Sequence, residues 1–127
     1  MNGKVHANEA RIQLKVLGPS KKVAQVEAIL DTGFSGWLTL PKAIDWLGLQ
    51  LIGPGRAQLG NGSIVDFDVY EVRVQWNRRY QRIVVDESPC TPLIGMSLLS
   101  NCELNMQVRQ GGKVTIRPLA KRHRKAS

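Results

Sequence analysis

A carboxylate stands between two apolar runs. Ala28-Ile29-Leu30 leads into Asp31-Thr32-Gly33, and Trp37-Leu38-Thr39-Leu40 leads away. Both arms read as buried strands, and an ionised Asp is seldom buried unless something pairs with it. Gly33 permits positive φ and Thr32 offers a short hydroxyl, so a tight polar turn accounts for the shape. It does not account for an acid at the mouth of an apolar segment. A catalytic carboxylate does.

The flanking chain is patterned for strands. Residues 11–17 place Ile12, Leu14 and Val16 on one face, 18–22 is a turn, and 23–30 completes a hairpin that delivers the chain to Asp31. Pro41 and Gly48 bracket a short helix with Ile44, Leu47 and Leu51 on one side. Residues 56–65 surround Asn61-Gly62, the favoured type I′ pair, and the second strand continues with Tyr70, Val72, Val74 and Trp76 in phase. A turn at 77–79 and a strand at 80–85 follow. Pro92-Leu93-Ile94-Gly95-Met96-Ser97-Leu98-Leu99, read alone, is a core strand entering a short helix. Residues 103–109 alternate with Leu104, Met106 and Val108 inward, and 113–117 make a last strand. The expected fold is all-β, closed and barrel-like, with one or two short helices. Its expected organisation is a flexible segment at 1–10, one domain over 11–119 and a basic disordered tail at 120–127.

At 127 residues the chain holds one domain with a modest core. Its net charge of +8 invites a nucleic-acid reading. Single-strand readers need stacking residues interleaved with Arg and Lys, however, and only the stretch from Trp76 to Tyr80 offers them. A basic surface with a basic tail is the simpler account, and nucleic acid is not the expected partner. Cys90 and Cys102 match no zinc spacing, and His6 and His123 lie far from both in sequence, so no metal or cofactor is expected. The first residues carry no apolar signal-like run, and no stretch is long and apolar enough for a membrane span, which makes the cytoplasm the expected compartment.

Three features occur together in an order that resembles the retropepsin-like, single-domain aspartic proteases. They are the Asp31-Thr32-Gly33 turn, the Gly-bearing hairpin at residues 59–62, and Leu93-Ile94-Gly95 followed by Leu98-Leu99. The resemblance spans residues 11–117. Position 34 holds Phe where such enzymes usually have Ala or Ser. Ser35 and Met96 stand where retroviral members often pair an acid with an Arg. Losing both charges together is coherent, because one left alone is costly. These departures, and the helix after Leu40, are more similar to the bacterial branch.

The resemblance implies an aspartic endopeptidase. That chemistry needs two carboxylates sharing a proton, and this sequence has one such turn, so the second Asp31 must come from a second chain across a two-fold axis. By the same resemblance Asp31 is base in one subunit and acid in the other, Thr32 bonds across the dimer, and Gly33 lets backbone approach the site. Leu59, Gly60, Asn61 and Gly62 form the flap tip, while Phe34, Trp37, Leu93 and Ile94 are candidate subsite walls. The expected partner is an extended peptide or protein substrate. A non-catalytic dimer that binds extended peptides, and a small basic β-barrel that binds nucleic acid, are the rival readings.

Overall fold

The computed structural model describes residues 1–120. The expected tail falls at its end, and residues 121–127 lie outside the described part. Ten strands make one sheet: β1 (Asn2–His6), β2 (Glu9–Leu17), β3 (Val23–Leu30), β4 (Leu38–Leu40), β5 (Gln50–Gln58), β6 (Ile64–Trp76), β7 (Arg79–Glu87), β8 (Leu93–Ile94), β9 (Cys102–Met106) and β10 (Lys113–Pro118). A 3₁₀ helix occupies Lys42–Leu47, and one short α-helix, α1, occupies Met96–Leu99.

The strand order is β5-β6-β7-β4-β8-β3-β2-β1-β10-β9, with β6 also pairing β2 through Val16↔Val74 and Leu17↔Arg73. That extra pairing turns β2, β3, β8, β4, β7 and β6 into a ring of neighbours, so the sheet is barrel-like. Its interior follows the period of two read from the sequence. Ile12, Leu14 and Val16 are buried, as are Val72, Val74 and Trp76 across from them. Leu38, Val85 and Ile94 join the same core.

The first ten residues are not a loose segment. β1 lies between β2 and β10, with Val5 only 2% exposed. The Met1 ammonium donates to the Ile116 carbonyl at 2.6 Å, and the Val5 N–H donates to Gly112 O at 2.9 Å. One apolar residue, Val5, is all that marks this strand in the sequence; the backbone pairing does the rest.

Strand β9 stops at Met106. The chain then folds through a tight loop, in which Arg109 N–H donates to Gln107 O and Gly112 N–H to Arg109 O. Leu104 is half-buried, but Met106 and Val108 are exposed, contrary to the expected inward row. In the 3₁₀ helix Ile44 and Leu47 are buried, whereas Leu51 lies in β5 and is exposed. Gly48 caps the helix in the left-handed region at φ 66°, its N–H donating to Asp45 O.

The tight hairpins also differ from expectation. Asn61 does not take positive φ, so Asn61-Gly62 is not a type I′ pair. Left-handed pairs occur instead at Ala7-Asn8, between β1 and β2, and at Asn77-Arg78, between β6 and β7. Such paired positive φ values are what a two-residue type I′ hairpin requires, whichever residues stand there.

Candidate active site

Asp31 begins where β3 ends. β3 runs parallel to β8, with Ile29↔Leu93 and Leu30↔Ile94, and β4 runs antiparallel to β8, with Leu38↔Ile94. The strand β8 therefore lies between the two arms of the turn. The Asp31 N–H donates to the Ile94 carbonyl at 2.9 Å, which continues the β3–β8 ladder up to the acid.

The turn closes on itself. Phe34 N–H donates to Asp31 O at 3.1 Å, and Gly33 N–H donates to the carboxylate Oδ1 at 2.9 Å. Among the described residues that N–H is the hydrogen-bond partner of the carboxylate. Asp31 is half-buried, and Thr32 and Gly33 are exposed. The acid thus sits at the rim of the apolar core rather than within it, facing outward with one backbone donor fixing its orientation.

The rest of the loop docks on the segment that opens α1. Gly95 N–H donates to Trp37 O at 3.0 Å, Met96 N–H to Phe34 O at 2.8 Å, and Ser97 N–H to Gly36 O at 3.0 Å. The Ser97 hydroxyl donates to Ser35 O at 2.6 Å. Below, the buried Thr39 hydroxyl accepts the Leu93 N–H at 2.8 Å and ties β4 to β8. The sequence reading missed Ser97 and Thr39. A hydroxyl in an apolar run is the only sequence mark of either, and their partners lie far away in the chain.

The candidate wall residues separate in space. Phe34 is half-buried beside the acid, its ring over Gly36 and Gly95. Leu93 is half-buried within β8. Ile94 is 0% exposed, so its side chain belongs to the core and cannot face a substrate in this chain. Trp37 packs partly on the core and borders a separate cleft of about 750 Å³ with Trp76, Tyr80 and Ser97, which does not include Asp31.

The hairpin at residues 59–62 is the end of a projecting arm. β6 pairs with β7 only from Val69 onward, whereas β5–β6 pairing continues out to Gln58↔Ile64. Beyond Pro54 and Asp68 the ribbon is two strands wide. Its tip is a β-turn closed by Gly62 N–H to Leu59 O at 2.9 Å, with Gly62 left-handed at φ 84°. The Asn61 side chain accepts from the Ser63 N–H at 3.0 Å and holds the tip.

The two faces of the arm are unlike. Arg56 and Asp66 form an ion pair at 2.9 Å on the face that, further along β6, carries the buried Val72 and Val74. The opposite face bears Val65, Phe67 and Val69 over Ala57, Gly55 and Gly53. The Phe67 ring lies in the space that Gly55 leaves open: a Cβ there would fall 2.7 Å from Cζ. The apolar side of the strand has changed over between its base and its tip.

Burial pushes the Asp86 carboxyl up from its ordinary value. The Tyr70 hydroxyl is also raised, first by desolvation and then by the charge of Glu87. Among the described residues no three His, Cys, Asp or Glu side chains converge in a way that could hold a metal, and no helix is long and apolar enough to cross a membrane.

Two solved structures have a similar overall fold. The crystal structure of a retropepsin-like aspartic protease from Rickettsia conorii matches with a TM-score of 0.56 at 15% sequence identity, over 94% of this chain and 91% of that one. The solution structure of the Simian Foamy Virus (mac) protease matches with a TM-score of 0.49 at 19% identity, over 69% of this chain and 91% of that one. No protein-family model and no curated protein matches the sequence. The fold is retropepsin-like, the fold of single-domain aspartic proteases.

Proposed function

We propose that the chain is an aspartic endopeptidase whose active site forms between two copies of Asp31 in a homodimer. The observation that carries this reading is the Asp31 turn itself, outward-facing at the rim of a retropepsin-like core with its carboxylate oriented by Gly33 N–H. Each chain contributes one such turn, and the reaction needs two carboxylates. Close enough to share a proton, they cannot both ionise easily and titrate as a pair.

In this reading one Asp31 takes a proton from water as the oxygen attacks the scissile carbonyl carbon. The other gives its proton to the carbonyl oxygen. The tetrahedral intermediate then collapses: the C–N bond breaks, the departing amine takes a proton from one Asp31, and a hydroxyl of the intermediate returns a proton to the other as the carbonyl re-forms. In the same reading Thr32, exposed beside the acid, bonds across the dimer. The arm from Pro54 to Asp68 closes over an extended peptide and excludes water. The peptide itself is held by its backbone, as an added strand.

The test is cleavage of an unstructured protein substrate between about pH 4 and 7 by the wild type and by Asp31→Asn, alongside sedimentation over a concentration series. The reading requires cleavage that the substitution abolishes, in a species that sediments as a dimer. Cleavage surviving in Asp31→Asn rules out the dyad. Peptide binding by the wild type without cleavage assigns the protein to the binders.

A further inference from the structure

We propose that Phe34 is a positioning residue for Asp31, its ring interlocked with the bare backbones of Gly36 and Gly95. A Cβ at Gly36 would fall 2.5 Å from the ring Cζ and 2.6 Å from Cε1, and the three nearest atoms it would meet all belong to that ring. A Cβ at Gly95 would fall 2.7 Å from Cδ2 and would also strike the Gly36 carbonyl oxygen. The ring therefore fills the gap between the outgoing arm of the turn and the segment that opens α1.

Its backbone joins the same two parts. The Phe34 N–H donates to Asp31 O at 3.1 Å, while its carbonyl accepts from Met96 N–H at 2.8 Å. Among the described residues no ion pair braces this loop. Among the described residues Ser35 and Met96 are uncharged neighbours of the crossing, and the neutral Ser97–Ser35 bond stands there instead. A rigid aromatic wedge suits that task, because it restricts the loop without burying a charge. Its movement would shift the Gly33 N–H and the carboxylate that bond orients.

The catalytic part of this inference rests on the protease reading, whereas the interlock does not. The full chain is compared as wild type, Phe34→Ala, Phe34→Leu, Gly36→Ala and Phe34→Ala/Gly36→Ala. Amide hydrogen exchange is followed by NMR at Gly33 and Met96, with Val74 as the core control. Phe34→Ala speeds exchange at Gly33 and Met96 by about tenfold and leaves Val74 unchanged. Phe34→Leu, which keeps apolar bulk, recovers most of the protection. Gly36→Ala is disruptive with the ring present and adds less than about twofold once it is gone.

If the wild type cleaves peptide, Phe34→Ala lowers kcat by about tenfold with KM held within about twofold. Unchanged exchange at Gly33 and Met96 in Phe34→Ala overturns the proposal, and so does an equal effect of Gly36→Ala in both backgrounds. Should Phe34→Ala not fold, Phe34→Leu against Gly36→Ala decides it by the same amides. A wild type without peptidase activity removes the catalytic reading and leaves the exchange result to judge the interlock.

Discussion

The hydroxyl of Thr39 accepts the backbone N–H of Leu93 at 2.8 Å, in a part of the core where Thr39 is only 8% exposed. Thr39→Val keeps the shape and removes the acceptor. A buried N–H left without a partner costs about 1–3 kcal/mol. Thr39→Ser, which retains the oxygen, should recover most of the loss. Urea unfolding of the three proteins checks this, and equal midpoints for Val and Thr would refute it.

The sequence makes Ile94 a candidate subsite wall and Val108 an inward strand position, and the fold buries the first and exposes the second. Ile94→Ala removes a fully buried side chain and should cost about 2–5 kcal/mol. Val108 is 71% exposed, so Val108→Ser should stay within about 0.5 kcal/mol of wild type. The two denaturation curves give the answer directly.

Gly62 takes φ 84° at the arm tip. Gly62→Ala places a Cβ in a region that disfavours it, at a cost of about 1 kcal/mol. The arm lies outside the core, so the global unfolding midpoint should barely move. Exchange at the tip amides should instead rise by about fivefold. In the proposed enzyme the same substitution raises KM more than it lowers kcat.

Asp86 gives a pH-dependent prediction. Burial raises its carboxyl above the ordinary value of 3.8, so the folded state holds the proton more tightly than the unfolded chain does. The favourable contribution is fully present below that ordinary value and is lost as pH rises through the raised one. Asp86→Asn should therefore be more stable than wild type at neutral pH, with the advantage shrinking on acidification. Thermal melts across that range test the sign; an advantage that grows as pH falls would contradict it.

What could be read from residues alone was local and repetitive. The alternation of Ile12, Leu14 and Val16, or of Val72, Val74 and Trp76, announces strands because each step of two faces the same core. The Asp31 turn was legible because an acid between apolar arms is an expensive arrangement. β1 was not, since Gly3 and Lys4 pair by backbone on both sides and only Val5 is apolar. The turn at 77–79 was legible, but the left-handed pair at Ala7-Asn8 carries no Gly, so its composition conceals it. Ser97 was missed for a different reason: its acceptor, Ser35, is 62 residues away, and no local pattern encodes such a bond.

The bond between the Asp31 amide and the Ile94 carbonyl has a meaning in time as well as in space. β3 is synthesised long before β8, and parallel pairing between segments so far apart must await closure of a long loop. Until Ile94 has left the ribosome, β3 lacks the neighbour that ends its ladder at the acid. A nascent chain therefore carries the motif well before it carries the site.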